Sequence, residues 1–276
     1  MPSLKLPQPY DFALSTERFR TFGPDLANLW DGEALLRAVD GREVRIAPAP
    51  GGVDVEPLDA MTEPVVRKLL GAEFDLAGFA EFAASDPVLA RLAHALAGFR
   101  PPLAPDPFET LVGSITAQQV SMFAAVAIRS RMIERFGRPV GRAWAFPTRE
   151  RLAGVAPEEL TALGFSQRKA EYVITLARSD VDLERLAFLP ETEVRATLVA
   201  LPGIGEWTAD WFLARHLARP RVWPAGDLAL RKAVSIFYRH GEAMTTDEVR
   251  AFGARFEPFQ NLSAHYLLTG LRVAPS

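Results

Sequence analysis

The segment covering residues 201–210 constrains the fold of this chain more than any other, because it ends one helix and begins another within a few residues. Apolar residues at three- and four-residue spacing predict a helix over 191–200 with one buried face. Pro202 and two glycines break that helix, and residues 206–217 resume the helical pattern. We therefore predict two helices joined by a tight hairpin. The second helix presents main-chain amides and the positive end of its dipole, which bind phosphate without recognising a base.

A single carboxylate, Asp227, opens the next helical pattern, over residues 227–234. Aspartate is a favoured N-cap residue, so a purely structural role explains its position. The same position also serves chemistry, because the helix dipole favours the ionised carboxylate, which can stabilise developing positive charge or activate water. The spacing alone leaves both interpretations open.

The hairpin and Asp227 resemble the signature of the helix-hairpin-helix DNA glycosylase superfamily, and the chain looks most like its alkylated-base branch, the 3-methyladenine DNA glycosylase II family. The resemblance implies a monofunctional enzyme of base excision repair. Such an enzyme flips an alkylated purine, for example 3-methyladenine, out of double-stranded DNA and hydrolyses its N-glycosidic bond, leaving an abasic site. Asp227 is then the catalytic carboxylate. Further matches to the family lie at residues 9–12, 30–40, 108–121, 163–177 and 255–268.

Position 207 separates two chemistries within that superfamily. Members that also cleave the DNA backbone carry a lysine there, whose amine attacks the sugar and forms a Schiff base. Here the residue is Trp207. Because an indole cannot form an imine, the resemblance implies base release without lyase activity.

The resemblance also implies a wedge that fills the gap left by the flipped base. Residues 116–121 form a polar interruption between two helical patterns, at the position of the family's wedge loop. The wedge falls on Gln119, with Gln118 able to share the role. The other interpretation of this segment is a polar helix junction without a function.

The remaining site residues follow from the same resemblance. Trp211 replaces a tyrosine of the family, and Leu228 and Leu268 stand where some relatives have aromatic residues; other aromatics that could compensate are Trp223, Tyr238 and Tyr266. The substrate pocket is expected at Trp207, Trp211, Gln118, Leu228 and Leu268, and DNA contacts are expected at Gln119, Gly203, Gly205, Thr208 and Arg231.

The superfamily hairpin often binds a monovalent cation through main-chain carbonyls. The corresponding residues here are Val199, Leu201 and Ile204, which would hold a structural Na+ or K+. The resemblance implies that catalysis requires no cofactor. The three histidines in the second half of the chain are expected in the core or on the surface rather than in catalysis; they are His216, His240 and His265.

Composition excludes several other classes of protein. The chain has 276 residues and no cysteine, which rules out disulfides, thiolate zinc sites and the iron-sulfur clusters of some glycosylases. No apolar stretch approaches the roughly 20 residues that a membrane span requires, and no secretory signal opens the sequence. We therefore expect a cytoplasmic, monomeric protein that acts on DNA and not at a membrane.

Charge is distributed unevenly along the chain. The net charge is −3, whereas a DNA-binding protein is expected to carry a basic surface. Residues 1–87 hold 8 Lys and Arg against 15 Asp and Glu, and residues 88–276 hold 23 against 19. The basic excess thus accompanies the hairpin. Candidates for phosphate contacts near the hairpin are Arg215, Arg219, Arg221, Arg231 and Lys232.

These patterns predict an α+β fold in two parts. Residues 1–87 are expected to form a mixed α/β domain with a small antiparallel sheet, in which the dipeptide Asp40-Gly41 joins two alternating runs as a β-hairpin turn. Residues 88–276 are expected to form a mainly α-helical, two-lobed glycosylase core that contains the helix-hairpin-helix at about 191–217.

Two other functions remain open at the level of sequence. A non-catalytic module that binds damaged DNA would need the hairpin but not Asp227, whose charge repels phosphate, so the carboxylate favours the enzyme. A glycosylase for another lesion, such as hypoxanthine, uracil or 8-oxoguanine, would share the same fold. The missing lysine at 207 weighs against the 8-oxoguanine type only.

Overall fold

The computed structural model describes residues 2–273, and its N-terminal part is built on a five-stranded antiparallel sheet. Asp40 and Gly41 form the predicted turn between two neighbouring strands, with φ of 49° and 70°. Because of this tight turn, Val39 pairs with Arg42. The strands are β1 (Ser3–Lys5), β2 (Leu29–Trp30), β3 (Leu35–Val39), β4 (Arg42–Ala49) and β5 (Gly52–Glu56), in the spatial order β1-β5-β4-β3-β2.

The predicted fold class is confirmed, and the differences are confined to short strands. β3 and β4 overlap the two alternating runs predicted at residues 34–38 and 43–47, with ends that differ by one or two residues. Sequence reasoning missed β1 and a separate hairpin of β6 (Arg138–Val140) and β7 (Ala143–Ala145), which lies beside β3. Strands of three residues contain too few side chains to display an alternation.

The rest of the described chain is mainly helical, and several helices begin where the sequence supplies a side-chain cap or a proline. Asp106, for example, accepts a hydrogen bond from the Glu109 amide, and Pro107 follows it as the first helical residue. The helices are α1 (Phe12–Thr16), α2 (Arg18–Thr21), α3 (Thr62–Leu69), α4 (Leu76–Ala83), α5 (Pro87–Ala95), α6 (Pro107–Ala117), α7 (Met122–Phe136), α8 (Arg149–Ala153), α9 (Pro157–Thr161), α10 (Gln167–Arg178), α11 (Glu191–Val199), α12 (Glu206–Arg215), α13 (Leu228–Tyr238), α14 (Thr246–Gly253) and α15 (Gln260–Val273), with single 3-10 turns at Arg185–Phe188 and Ala254–Phe256.

Two hydrophobic cores underlie this arrangement. One lies between the sheet and α1, α2 and α3 and ends in sequence at Leu70, and the other begins at Phe74 and contains the helices that follow. Ala27 of the N-terminal part joins the helical core, so the two units share an interior surface. The division into domains at residues 87 and 88 stays a prediction. A buried ion pair at 2.6 Å between Arg37 of β3 and Glu109 of α6 links the two parts.

The predicted helix-hairpin-helix corresponds to α11 and α12, which pack against each other, and α12 also packs against α6. α12 ends at Arg215, two residues before the predicted end, because the chain turns and the Leu217 amide donates back to the Phe212 carbonyl. Among the helices of residues 2–273, none combines the length and the apolar character that a bilayer span needs.

Candidate active site

Asp227 lies where α12, α13 and the hairpin converge, and both of its carboxylate oxygens accept hydrogen bonds. It is the N-cap of α13, and its Oδ1 accepts a hydrogen bond from the Leu230 amide at 2.9 Å. Its Oδ2 accepts from the indole Nε1 of Trp207 and from that of Trp211, each at 2.9 Å. Three N–H donors therefore fix the orientation of this carboxylate, which caps α13, and its catalytic role stays a prediction.

The two tryptophans present their N–H groups to Asp227 because they stand one turn apart on the same face of α12. Trp207 is half-buried, whereas Trp211 is only 2% exposed. The face of the Trp211 ring is covered by the guanidinium of Arg215, whose Cζ lies 3.6 Å from the ring centroid, and its edge contacts His265. Sequence reasoning predicted these indoles as stacking surfaces and missed their hydrogen bonds to the carboxylate, although the four-residue spacing was a usable signal.

The hairpin has the geometry that its glycines require. Gly203 has φ of +82°, and a Cβ there would lie 2.2 Å from the ring of Tyr172. Gly205 is the N-cap of α12 and supplies no side chain, so the first amides of α12 have no side-chain cap. The structure therefore offers these amides to an anion.

A side-chain contact joins the hairpin to the loop between α6 and α7. Nε2 of Gln118 donates to the carbonyl of Gly203 at 2.8 Å and lies 3.4 Å from Oγ1 of Thr208. Thr208 is buried, so its hydroxyl faces this contact rather than solvent. Lys169 of α10 donates to the carbonyl of Thr116 at 2.9 Å and so contacts the last turn of α6, just before this loop.

Gln119 points away from that contact. Its φ is +52°, an uncommon backbone conformation for a residue other than glycine, and its side chain is exposed. The residues that follow form an apolar surface around it, with Phe123 61% exposed and packed edge-on against Phe22. Gln119 thus stands at the tip of the predicted wedge loop, with Val120 and Met122 exposed beside it.

The other predicted pocket residues occupy different environments. Leu228 directly follows Asp227 and is 75% exposed, so it lies at the rim of the site. Leu268 of α15 is buried in the helical core. The three aromatics considered as substitutes use their polar atoms elsewhere: Trp223 donates to the Val249 carbonyl, Tyr238 to Asp86 and Tyr266 to the Phe99 carbonyl.

The basic residues near the hairpin fall into three groups. Arg231 donates twice to the Met244 carbonyl, and Arg219 donates to the carbonyls of Ala187 and Leu189, so their guanidinium groups anchor neighbouring loops. Arg221 pairs with Glu257 at 2.8 Å on the surface, and Lys232 is exposed. Arg215, predicted as a phosphate contact, is half-buried, and its guanidinium lies over the ring of Trp211.

The three histidines of the second half of the chain lie in the core or on the surface. His240 is exposed, and His216 and His265 are buried. Burial, with Lys68 nearby, lowers the pKa of His216 to about 4, and burial lowers the pKa of His265 well below its usual value. Both side chains are therefore neutral at physiological pH and belong to the interior.

The cation site predicted at Val199, Leu201 and Ile204 would use main-chain carbonyls at the end of α11 and in the hairpin. Val199 is the last residue of α11, where helix carbonyls lack partners one turn ahead, and the Leu201 carbonyl accepts from the Ile204 amide at 3.1 Å. Across residues 2–273, no group of three or more His, Asp or Glu side chains could hold a metal ion. Binding of Na+ or K+ by these carbonyls stays a prediction.

A mainly helical core, a hairpin with uncapped amides and a fixed carboxylate define a protein of the helix-hairpin-helix DNA repair class. Residues 112–258 match the HhH-GPD superfamily of base excision DNA repair proteins, and this chain belongs to that superfamily.

Individual relatives agree with this assignment. The chain is 29% identical over 201 residues to DNA-3-methyladenine glycosylase of Bacillus subtilis, and 33% identical over 178 residues to DNA-3-methyladenine glycosylase 2 of Escherichia coli. These matches cover 70% and 63% of this chain, but 66% and 61% of the relatives, so the chain spans just under two thirds of their length. A solved 3-methyladenine DNA-glycosylase from Archaeoglobus fulgidus superimposes with a TM-score of 0.90 at 27% identity, over 99% of both chains.

Proposed function

We propose that this protein is a monofunctional DNA glycosylase that releases alkylated purines from double-stranded DNA and leaves an abasic site. The observation that carries the proposal is the carboxylate of Asp227, held by two indole N–H groups and a helix-terminal amide beside a phosphate-binding hairpin. Binding to DNA alone does not require an oriented anion at this place. The names of the similar proteins from three organisms support the same substrate class.

The mechanism follows from the positions of the groups. The free amides at the start of α12 bind a backbone phosphate, and Gln119 enters the duplex while the damaged nucleotide turns outward. Alkylation at N3 or N7 makes the purine a good leaving group, so its departure needs no strong general acid. Asp227 stabilises the oxocarbenium-like sugar electrostatically and orients the water that adds to the anomeric carbon. The proton of that water passes to solvent as the sugar becomes hemiacetal.

Base release from methylated duplex DNA tests this function. Purified protein should release 3-methyladenine or 7-methylguanine, detected by chromatography, and the DNA strand should break only after alkali. Asp227→Asn should reduce release by at least about a thousandfold while leaving duplex affinity within a few fold, because the electrostatic contribution is lost and the hairpin is unchanged. A variant that keeps most of its activity contradicts the role of Asp227. DNA binding without release of any base would favour the non-catalytic module.

The absence of lyase chemistry is tested separately. Trp207 occupies the position of the nucleophilic lysine, and the amine of Lys169, in the first turn of α10, donates to the Thr116 carbonyl of α6. We therefore expect no covalent protein–DNA adduct when the reaction is treated with borohydride. A trapped adduct would show that another amine acts as the nucleophile.

A further inference from the structure

A group of exposed apolar side chains follows Gln119 directly in the chain. Val120, Met122 and Phe123 are 38%, 37% and 61% exposed. Eight large apolar side chains are exposed among residues 2–273, and three of these eight lie within four consecutive positions here. Single apolar residues scattered over a surface are ordinary, whereas a contiguous group marks a place where a protein contacts a partner.

The ring of Phe123 is held in place by the N-terminal part of the molecule. It packs edge-on against the ring of Phe22, with 5.5 Å between the ring centroids. Ser130 lies on the same face of α7, seven residues further on, and its hydroxyl donates to the Pro24 carbonyl at 2.9 Å and accepts from the Leu26 amide at 3.3 Å. These bonds attach the segment that carries Phe22 to α7. Phe123 is therefore supported on one side while most of its side chain stays exposed.

The position of this group brings it to the same duplex as Gln119. Gln119 and Phe123 are four residues apart, so their Cα atoms lie no more than about 14 Å from each other, the length of roughly four base-pair steps. Gln119 is polar and gains little from entering an apolar base stack. Side chains that separate stacked bases are usually apolar, and phenylalanine and methionine are among them. The exposed apolar side chains thus lie beside a predicted wedge that itself lacks apolar surface.

We propose that Phe123 is a second DNA-unstacking side chain, which inserts its ring at a base step beside the gap filled by Gln119 and holds the duplex open while the damaged nucleotide is flipped. This inference rests on the proposed glycosylase function. An aromatic ring stacks on the face of any base, so the contact is independent of sequence. Because Phe22 already restricts the ring, insertion costs little side-chain entropy.

The first test compares kcat/KM on two DNA substrates that carry the same 7-methylguanine. In one the lesion lies in a fully paired duplex, and in the other it lies in a bubble of mismatched bases, where the stack is already open. Phe123→Ala should lower kcat/KM about tenfold or more on the paired duplex and less than about threefold on the bubble, because an inserted ring is needed only where bases are stacked. Phe123→Leu keeps an apolar wedge and should stay within about threefold of the wild type on both.

Phe188 supplies a matched control. It is 86% exposed and lies just before α11, at the opposite end of that helix from the hairpin, so Phe188→Ala should leave both rates unchanged. If Phe123→Ala fails to fold, as judged by circular dichroism, Phe123→Gln replaces it with the same expected loss on the paired duplex.

A fluorescence measurement detects insertion without catalysis. Stacking quenches 2-aminopurine, so the base analogue is placed in turn on either side of an uncleavable abasic site. Its emission should rise when the wild-type protein binds and should rise far less with Phe123→Ala at equal saturation. Equal rises, or equal losses of kcat/KM on the paired and the open substrate, overturn the inference while the glycosylase function stands. A wild-type protein that raises the emission but releases no base overturns the proposed function and leaves the insertion supported.

Discussion

At the scale of single residues, the candidate active site is defined by the N–H groups that donate hydrogen bonds to the carboxylate of Asp227. Asp227 could be located from the sequence because an aspartate at a helix start is a local pattern, and a lysine missing at 207 is equally local. Its partners could be located only in part. Trp207 and Trp211 share a helix face with Arg215, so the row on α12 was predictable, but the contact between Trp211 and His265 of α15 arises from tertiary packing that no local spacing encodes.

We expect the two indole hydrogen bonds to Asp227 to contribute to the rate of base release. Trp207→Phe and Trp211→Phe keep an aromatic ring and remove one donor to Asp227 each, so kcat for base release should fall about tenfold or more, as expected for a lost hydrogen bond to a charged group. Trp223→Phe removes a comparable bond, to the Val249 carbonyl, away from the site and should leave kcat unchanged. Single-turnover rates on methylated DNA measure the effect. Equal rates in all three variants would mean that the indoles only fill space.

At the scale of secondary structure, the hairpin was predictable because its signals are strong and close together. Proline and glycines between two helical patterns define it in sequence, and the structure differs by one residue at the end of α11 and by two at the end of α12. The strands of three residues were not predictable, because main-chain pairing with β5 or between β6 and β7 rather than side-chain pattern defines them. The same limit applies to Gln118: its bond to Gly203 joins residues 85 positions apart.

The two hairpin glycines should respond differently to substitution. Gly203→Ala should lower the free energy of unfolding by about 3 kcal/mol, because its φ is positive and the new Cβ would overlap the ring of Tyr172. Gly205→Ala should change it by less than about 0.5 kcal/mol, since its φ is −101° and a Cβ meets no atom within 4 Å. Urea unfolding of both variants measures the difference. Similar losses would show that the hairpin relaxes in a way the static geometry does not describe.

At the scale of the whole molecule, the interface between the N-terminal part and the helical core should be sensitive to acid. Lys68 of α3 lies 3.4 Å from Nδ1 of His216, whose pKa in the folded protein is about 4, below its ordinary value of 6.5. The unfolded chain therefore binds a proton that the folded protein excludes, and stability is complete above about pH 6.5 and is lost as the pH falls toward 4.

This linkage has a measurable size. Between pH 7.5 and pH 5, His216 should cost the folded state about 2 kcal/mol, a loss that His216→Gln should remove while leaving the contributions of other groups. Urea unfolding of both proteins at the two pH values gives the comparison. If the two proteins lose the same stability on acidification, the buried imidazole is not the group responsible.

The bond between Gln118 and the Gly203 carbonyl has a consequence for how damage would be searched for. The Gln118 side chain links the loop that carries Gln119 to the hairpin, so movement of one relative to the other requires that this hydrogen bond break. As the protein moved along a duplex, Gln119 would contact the base stack each time the hairpin bound a phosphate. Each binding event at a phosphate would then test the stability of one base pair. A weakened pair would open and be detected before its base entered the pocket.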